Sequence, residues 1–269
     1  MIETYMPILW GSLSGLALGM TGGGGSIIAV PILLYGLGLP AHPAIAVSLF
    51  SVSATTLFGS LEKFLGHDSN LDWKAGLILA FAGLLFAPVG TMVGALFSAP
   101  VLMLLFSFLM LFIGVRMWLK TRKKANAANK DDNAEKDTTE GYHMPALIGG
   151  GIVTGFLSGF LGVGGGFLIV PALTMAGLPI KKAVTTSMLA IFIISTSGAV
   201  SHFVQDPTLD FKLGIEFAIG GVLGLNIGMH VVKSISSEWV QKIFSIFVIT
   251  VAVGMLLESF LPKVISCMG

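Results

Sequence analysis

G-L-A-L-G-M-T-G-G-G-G-S-I-I-A-V-P, residues Gly15 to Pro31, returns later in the chain as G-F-L-S-G-F-L-G-V-G-G-G-F-L-I-V-P, residues Gly155 to Pro171. Gly15, Gly19, Gly22, Gly24 and Gly25 recur as Gly155, Gly159, Gly162, Gly164 and Gly165, and Val30-Pro31 recurs as Val170-Pro171. Each glycine costs a helix about 1 kcal/mol relative to alanine, so neither cluster continues the apolar helix that leads into it. Both clusters predict a helix break. In a membrane, non-helical backbone survives only where protein buries it or where it lines a cavity. Two broken helices at matching places in two halves of a chain are the sequence pointer to a transporter's substrate site.

The membrane reading comes from composition. Of the 269 residues 54% are hydrophobic and only 11% charged, with a mean hydropathy of +0.91, against about 25% charge in soluble domains. No Asp, Glu, Lys or Arg lies between Glu3 and Glu62, between Lys74 and Arg116, or between Glu140 and Lys181. A spanning helix needs about 20 apolar residues, so these stretches hold several spans. The net charge of +1 gives no basic surface for nucleic acid. A single cysteine, Cys267, excludes an internal disulfide and a cysteine metal cluster. No metal or cofactor is expected. The opening M-I-E-T-Y-M-P lacks the basic start and small-residue cleavage site of a signal peptide, so the first apolar segment is expected to be retained.

The repeat extends past the glycines. Gly38-Leu39-Pro40 matches Gly177-Leu178-Pro179, Ser48 matches Ser187, Gly59 and Phe64 match Gly198 and Phe203, and Leu71-Asp72 matches Leu209-Asp210. The chain therefore divides into a first membrane repeat, 1–120, a polar linker, 121–143, and a second membrane repeat, 144–269. The linker is charge-mixed and nearly without large apolar residues, as expected of a loop outside the bilayer. The fold class is all-α and integral to the membrane. Each repeat is expected to hold a glycine-broken, re-entrant helix and three transmembrane helices, with the two repeats inverted. Positive residues concentrate on cytoplasmic loops, and this threading places every Lys and Arg except Lys212 and Lys263 on one side. Both termini then lie outside and the linker is cytoplasmic. A tilted, kinked crossing of the broken helix is the competing threading, and it separates the charges less well.

The residues after each break open a short helix, Ser26 to Tyr35 and Gly166 to Met175. The first turn of a helix carries unpaired N–H groups and the positive end of its dipole, and glycines let an anion reach them. The candidate substrate-binding residues are Gly22, Gly23, Gly24, Gly25 and Ser26 in the first copy and Gly162, Gly164, Gly165 and Gly166 in the second. Ser48 and Ser187 join them because they hold equivalent places at the start of hydroxyl-rich segments, although a hydroxyl in a helix more often bonds its own carbonyls. Asn226, which aligns with Pro88, is either a substrate contact or interhelical glue. Gly11, Gly15, Gly19, Gly151, Gly155, Gly159, Gly220, Gly224 and Gly228 fit close helix packing instead. Ionisable groups in or beside spans are Glu62, His67, His202, Glu216 and His230; of these Glu216 and His202 are the candidates for proton coupling.

The repeated glycine-cluster-then-Val-Pro motif, followed by a hydroxyl-rich second helix, resembles the TauE/SafE family of sulfite and organosulfonate exporters, and does so over nearly the whole chain. The resemblance implies secondary transport, as export, of small sulfur-containing anions, with Gly22–Ser26 and Pro31, and Gly162–Gly166 and Pro171, as binding elements. Ser26 stands where the second copy has Gly166, and Val163 where the first has Gly23, so the two halves of the site are not equivalent. The expected partners are a small anionic substrate, the lipid bilayer and, at most, a second copy of the chain in a homodimer, with no nucleic acid. The expected location is a bacterial inner membrane, crossed many times. A passive anion channel, or a carrier of another small anion such as a carboxylate, would use the same broken helices. An intramembrane enzyme fits poorly: Ser14, Ser158 and Ser197 precede glycines but lack one two places earlier, and no H-E-x-x-H is present.

Overall fold

The computed structural model describes residues 2–66, 70–126, 142–162, 164–206, 211–231 and 237–268. His67, Val163, Leu209, Asp210, Lys233 and 127–141 of the linker lie outside the described residues. Among the described residues ten α-helices follow one another: α1 (Ile2–Thr21), α2 (Gly25–Pro31), α3 (Ala41–Leu65), α4 (Trp73–Ala95), α5 (Ala99–Asn126), α6 (Met144–Leu161), α7 (Gly166–Met175), α8 (Ile180–Gln205), α9 (Phe211–Val231) and α10 (Ser237–Met268). Helix α2 runs on into a wider π-type turn, Ile32–Gly36. No strand occurs among the described residues. Among the described residues six helices are long and apolar enough to cross a membrane: α3, α4, α6 and α9 over their full lengths, α5 over Ala99–Leu119 and α8 over Lys181–Gln205. Large apolar side chains such as Phe81, Leu85, Met92, Leu96, Phe108, Phe112 and Ile227 point outward, a surface suited to lipid.

Local chemistry sets the helix ends. Helices α1 and α6 both stop at a glycine with left-handed backbone, Gly22 at φ +73° and Gly162 at φ +70°, the conformation that ends a helix most cheaply when the residue is glycine. The N–H of each turns back to the carbonyl four residues earlier, Leu18 and Ser158, both at 2.8 Å. Asp72 caps α4 by accepting the Ala75 N–H at 3.1 Å, and it also accepts the Tyr142 phenol. That bond, with partial burial and the Asp72 charge, pushes the Tyr142 pKa up to about 12, so the phenol stays protonated and ties the start of the second repeat to α4.

After each break the chain doubles back on the helix it has just left. Gly25 lies against Ser14 and Leu18, and Gly36 against Trp10, so α2 and its π-turn descend beside α1. Gly165 lies against Thr154, Gly150 against Ala172, and the His143 N–H reaches the Ala176 carbonyl at 3.2 Å, so α7 descends beside α6. The start of each short helix is thereby held near the middle of the long one.

Between the repeats, packing follows glycine rows. Gly11, Gly15 and Gly19 of α1 meet Phe217, Gly221 and Leu225 of α9, in the same direction. The second repeat answers with Gly151, Gly155 and Gly159 of α6 against Leu79, Gly83 and Ala87 of α4, also parallel. Helix–helix association in lipid relies on such close backbone approach, because tails and side chains are equally apolar. The equivalent helices α3 and α8 form the centre, each about two-thirds buried. They cross antiparallel, with Ser53 beside Thr196 at 2.6 Å, Gly198 beside Leu49 and Gly59 beside Met188. Helices α5 and α10 pack on each other at Gly114 and Ile249.

Candidate functional site

The fold brings the two glycine breaks together. Gly23 and Gly166 touch backbone to backbone, and Gly164 faces Ser26 of the other repeat together with Val52 and Ser195. Gly22 to Ser26, Gly162 and Gly164 to Gly166 are all buried. The candidate residues in the two clusters therefore occupy one place in the molecule, at the C-terminal ends of α1 and α6.

Each break is held by the opposite repeat. Gly162 packs on Ile45 of α3, and the Ser48 hydroxyl donates to the Gly162 carbonyl at 3.0 Å. Gly22 packs on Val184 of α8, and the Ser187 hydroxyl donates to the Gly22 carbonyl at 2.8 Å. Ile45 and Val184 are equivalent positions, as are the two serines, so the same clamp is built twice. Each serine has a single hydroxyl hydrogen; that of Ser48 goes to the loop carbonyl, and that of Ser187 is shared between the Gly22 carbonyl and the Val184 carbonyl of its own helix at 2.7 Å. Ser48 and Ser187 thus position the breaks here; their contact with the site is through Gly162 and Gly22.

Other hydroxyls treat the remaining carbonyls alike. Ser26 donates to Gly23 at 2.8 Å, Ser14 to Gly25 at 3.2 Å and Ser195 to Gly164 at 3.4 Å. One amide is also taken, since the Gly24 N–H donates to the Thr21 hydroxyl at 2.8 Å. Among the described residues, no acceptor reaches the N–H groups of Gly23 and Gly25, or of Gly164 and Gly165. The backbone polarity left over at the junction is therefore mostly donor, in surroundings formed by buried apolar side chains such as Ile27, Ile45, Val52, Ile169 and Ile191. Such a place favours an anion. No side chain of the described junction carries a positive charge.

The two breaks differ in shape. Gly24 has right-handed backbone, φ −69°, whereas its equivalent Gly164 is left-handed at φ +63° and is followed by Gly165 at φ +67°. The departures at Ser26/Gly166 and Gly23/Val163 thus accompany different turns, as the sequence comparison of the two copies anticipated for an unequal site.

Three candidates are not brought to the junction. Asn226 is exposed on α9, and its amide donates to the Val222 carbonyl at 2.9 Å, one turn back on its own helix. Glu216 lies near the start of α9, 3.9 Å from Lys212. His202 is buried near the end of α8, its Nε2 3.1 Å from the Gly159 carbonyl; because a carbonyl only accepts, that nitrogen carries the hydrogen. His202 thereby touches the last turn of α6, just ahead of the second break. Among the described residues no group of His, Cys, Asp and Glu could hold a metal ion. Sequence reasoning did not place Thr21 or Ser14 at the site, and it counted Ser195 only as one of the hydroxyls of its segment, since their spacing carries no signature. It also passed over Ser158, for which one signal existed: a hydroxyl stands where the first copy has Leu18.

The family model described as "Sulfite exporter TauE/SafE" matches residues 7–255. A probable membrane transporter protein of Xylella fastidiosa (strain 9a5c) is 35% identical over 257 residues, covering 93% of this chain and 94% of its own length. The probable membrane transporter protein YunE of Bacillus subtilis is 28% identical, with 93% and 96% covered. MJ0441 of Methanocaldococcus jannaschii, also a probable membrane transporter protein, is 25% identical, with 88% and 90% covered. No solved structure matches the chain. A family match running through both glycine breaks and the helices that clamp them makes this multi-pass membrane protein a member of the TauE/SafE family of membrane transporters.

Proposed function

We propose that this protein is a secondary transporter that exports a small sulfur-containing anion, sulfite or a short organosulfonate, across a bacterial inner membrane. The substrate binds where the two glycine breaks meet. One observation carries the reading: serine hydroxyls occupy the carbonyls of Gly22, Gly23 and Gly162, while N–H groups on both breaks stay without a described acceptor. A dehydrated oxyanion is the ligand such a donor-rich, apolar junction suits. The sulfur chemistry and the direction rest on the family's description. Of the two candidate proton carriers, His202 is the better placed, since it touches Gly159 at the end of α6, whereas Glu216 sits beside Lys212 at the edge of α9.

The threading that goes with this function is a pair of inverted repeats with re-entrant broken helices. It is supported by the doubling back of α2 and α7, and by the antiparallel crossing of the equivalent helices α3 and α8. Repeats related by an axis along the membrane normal would cross parallel. Both termini then face outside and the linker faces the cytoplasm. A reporter active only in the cytoplasm is expected to be silent when fused after Gly269 and active when inserted in the linker. A strong signal from the Gly269 fusion would overturn the inverted arrangement.

The ligand is tested by thermal shift of the purified protein against sulfite, thiosulfate, sulfoacetate, taurine, sulfate, phosphate and simple carboxylates. A ligand at 100 times its Kd stabilises by about 2.7 kcal/mol. Sulfite or an organosulfonate is expected to raise the melting temperature. Stabilisation by phosphate or carboxylates, with none from any sulfur anion, would overturn the substrate assignment.

A further inference from the structure

We propose that Ser158 is a substrate-orienting donor: its side-chain O–H binds one oxygen of the anion at the second break and makes the site selective for oxyanions over spherical anions. The proposal rests on the junction of the two breaks being the substrate site.

Ser158 is 0% exposed, and its Oγ has no hydrogen-bond partner among the described residues; Trp10 Nε1 is the other buried side-chain polar atom in that position. Leaving a hydroxyl buried and unpaired destabilises a fold, and native chains seldom keep one without a use. The serines that clamp the breaks make a sharp contrast. Ser14, Ser26, Ser48, Ser187 and Ser195 all donate to loop carbonyls.

Helical spacing aims Ser158 at the break. Residues four apart share a helix face, so Gly150, Thr154 and Ser158 form one row along α6. Gly150 faces Ala172 of α7, and the Thr154 carbonyl and Cβ are the atoms nearest Gly165. The adjacent row, Gly151, Gly155 and Gly159, faces α4. Ser158 is therefore the next member of the row that faces the short helix and its leading loop, and its own carbonyl accepts the Gly162 N–H at 2.8 Å.

The two copies differ at this point in how closely the loop meets the preceding helix. In the first, Gly25 is packed hard against Leu18, whose Cβ would lie 2.5 Å from a Cβ at Gly25. In the second, a Cβ at the equivalent Gly165 would first meet the Thr154 carbonyl at 3.2 Å, then Thr154 Cβ at 3.5 Å and Ile169 at 3.7 Å. Ser158 stands further off than these. The left-handed turns at Gly164 and Gly165 carry the second loop away from α6 where the first loop, right-handed at Gly24, closes onto it. A hydroxyl has replaced leucine on the side where the packing loosens. A hydroxyl hydrogen directs itself at a lone pair, and with the N–H groups of Gly164 and Gly165 it addresses several oxygens of one anion at once. A spherical ion gains less from that arrangement.

The test compares Ser158→Ala, Ser158→Thr and Gly165→Ala with the native protein, using melting temperature without ligand and calorimetric affinity for sulfite, thiosulfate and chloride. Ser158→Ala is expected to melt higher, because it removes the unpaired hydroxyl, and to bind the native protein's preferred oxyanion roughly tenfold more weakly or worse. Chloride affinity should be unchanged. Ser158→Thr keeps the O–H and is expected to restore most of the oxyanion affinity; Ser158→Cys, with a weak donor of similar size, replaces it if threonine does not fold. Unchanged oxyanion affinity in Ser158→Ala, alongside loss in Gly165→Ala, would overturn the role of Ser158 and leave the site standing. Native-like affinity in Gly165→Ala, or no oxyanion binding by the native protein, would overturn the site itself and this proposal with it.

Discussion

Valine at Gly155 is expected to leave no folded protein to assay. A Cβ at this position would lie 2.5 Å from Gly83 Cα and 2.6 Å from its carbonyl carbon, so the obstacle is backbone and no rotamer relieves it. Helices α6 and α4 would have to separate along the whole parallel seam through Gly151, Gly155 and Gly159. In lipid no hydrophobic force compensates, since such a seam depends on close van der Waals packing, here with one long hydrogen bond from the Thr91 hydroxyl to the Gly159 carbonyl, and overpacking a close contact costs about 1–3 kcal/mol or more. The loss reaches the site, because α6 carries Ser158, Gly159 and the left-handed Gly162. Gly15→Val, which would drive a Cβ into Gly221, is expected to do the same to the α1–α9 seam. Size-exclusion chromatography in detergent should show aggregate in place of a single peak for both. Gly149→Val is the control: nothing lies within 4 Å of a Cβ there, and it should behave as the native protein. A clean peak and native melting temperature for Gly155→Val would remove the seam from the account of the fold.

The contrast between Gly149 and Gly155 also marks what the sequence could and could not reveal. Spacing by four picks out Gly151, Gly155 and Gly159 as a packing row, and those residues do pack. It does not identify the partner, because α4 belongs to the other repeat and its row is written with Leu79, Gly83 and Ala87. The presence of several spans was legible, since apolar stretches of span length without Asp, Glu, Lys or Arg allow little else. The convergence of the breaks was legible only as an expectation drawn from duplication. What remained hidden was the use of the hydroxyls. Ser48 and Ser187 were singled out by equivalence, yet nothing in their spacing says that each would reach a carbonyl of the opposite repeat, a contact that exists only once α3 and α8 cross antiparallel. Asn226 failed for a related reason. Its alignment with Pro88 marks two irregular points in equivalent helices, but the face of α9 that packs on α1 is the glycine row, and Asn226 lies outside it.

Gly165→Ala is expected to keep the protein folded and to abolish anion binding, the reverse of Gly155→Val. A methyl group at Gly165 would meet the Thr154 carbonyl oxygen at 3.2 Å, a tight contact that a shift of a few tenths of an ångström relieves. The obstacle is conformational: at φ +67° an L side chain costs about 1–2 kcal/mol, which a domain stable by about 5–15 kcal/mol tolerates. The loop can relieve that strain by turning Gly165 out of the left-handed region. Doing so reorients the N–H groups of Gly165 and Gly166, and binding that uses several donors at once is lost with it. Gly24→Ala is the informative partner, because Gly24 already has right-handed backbone and an added Cβ meets the tip of the Phe244 ring at 2.6 Å and the Thr21 hydroxyl at 2.7 Å. Side-chain tips can move, so this variant is expected to retain the larger part of its binding. Uptake of labelled substrate into vesicles and thermal shift with ligand should agree: Gly165→Ala near background with a melting temperature within a few degrees of native, Gly24→Ala intermediate. Normal transport by a folded Gly165→Ala would mean that the second break is not where the anion sits, and that its donors serve only to start α7.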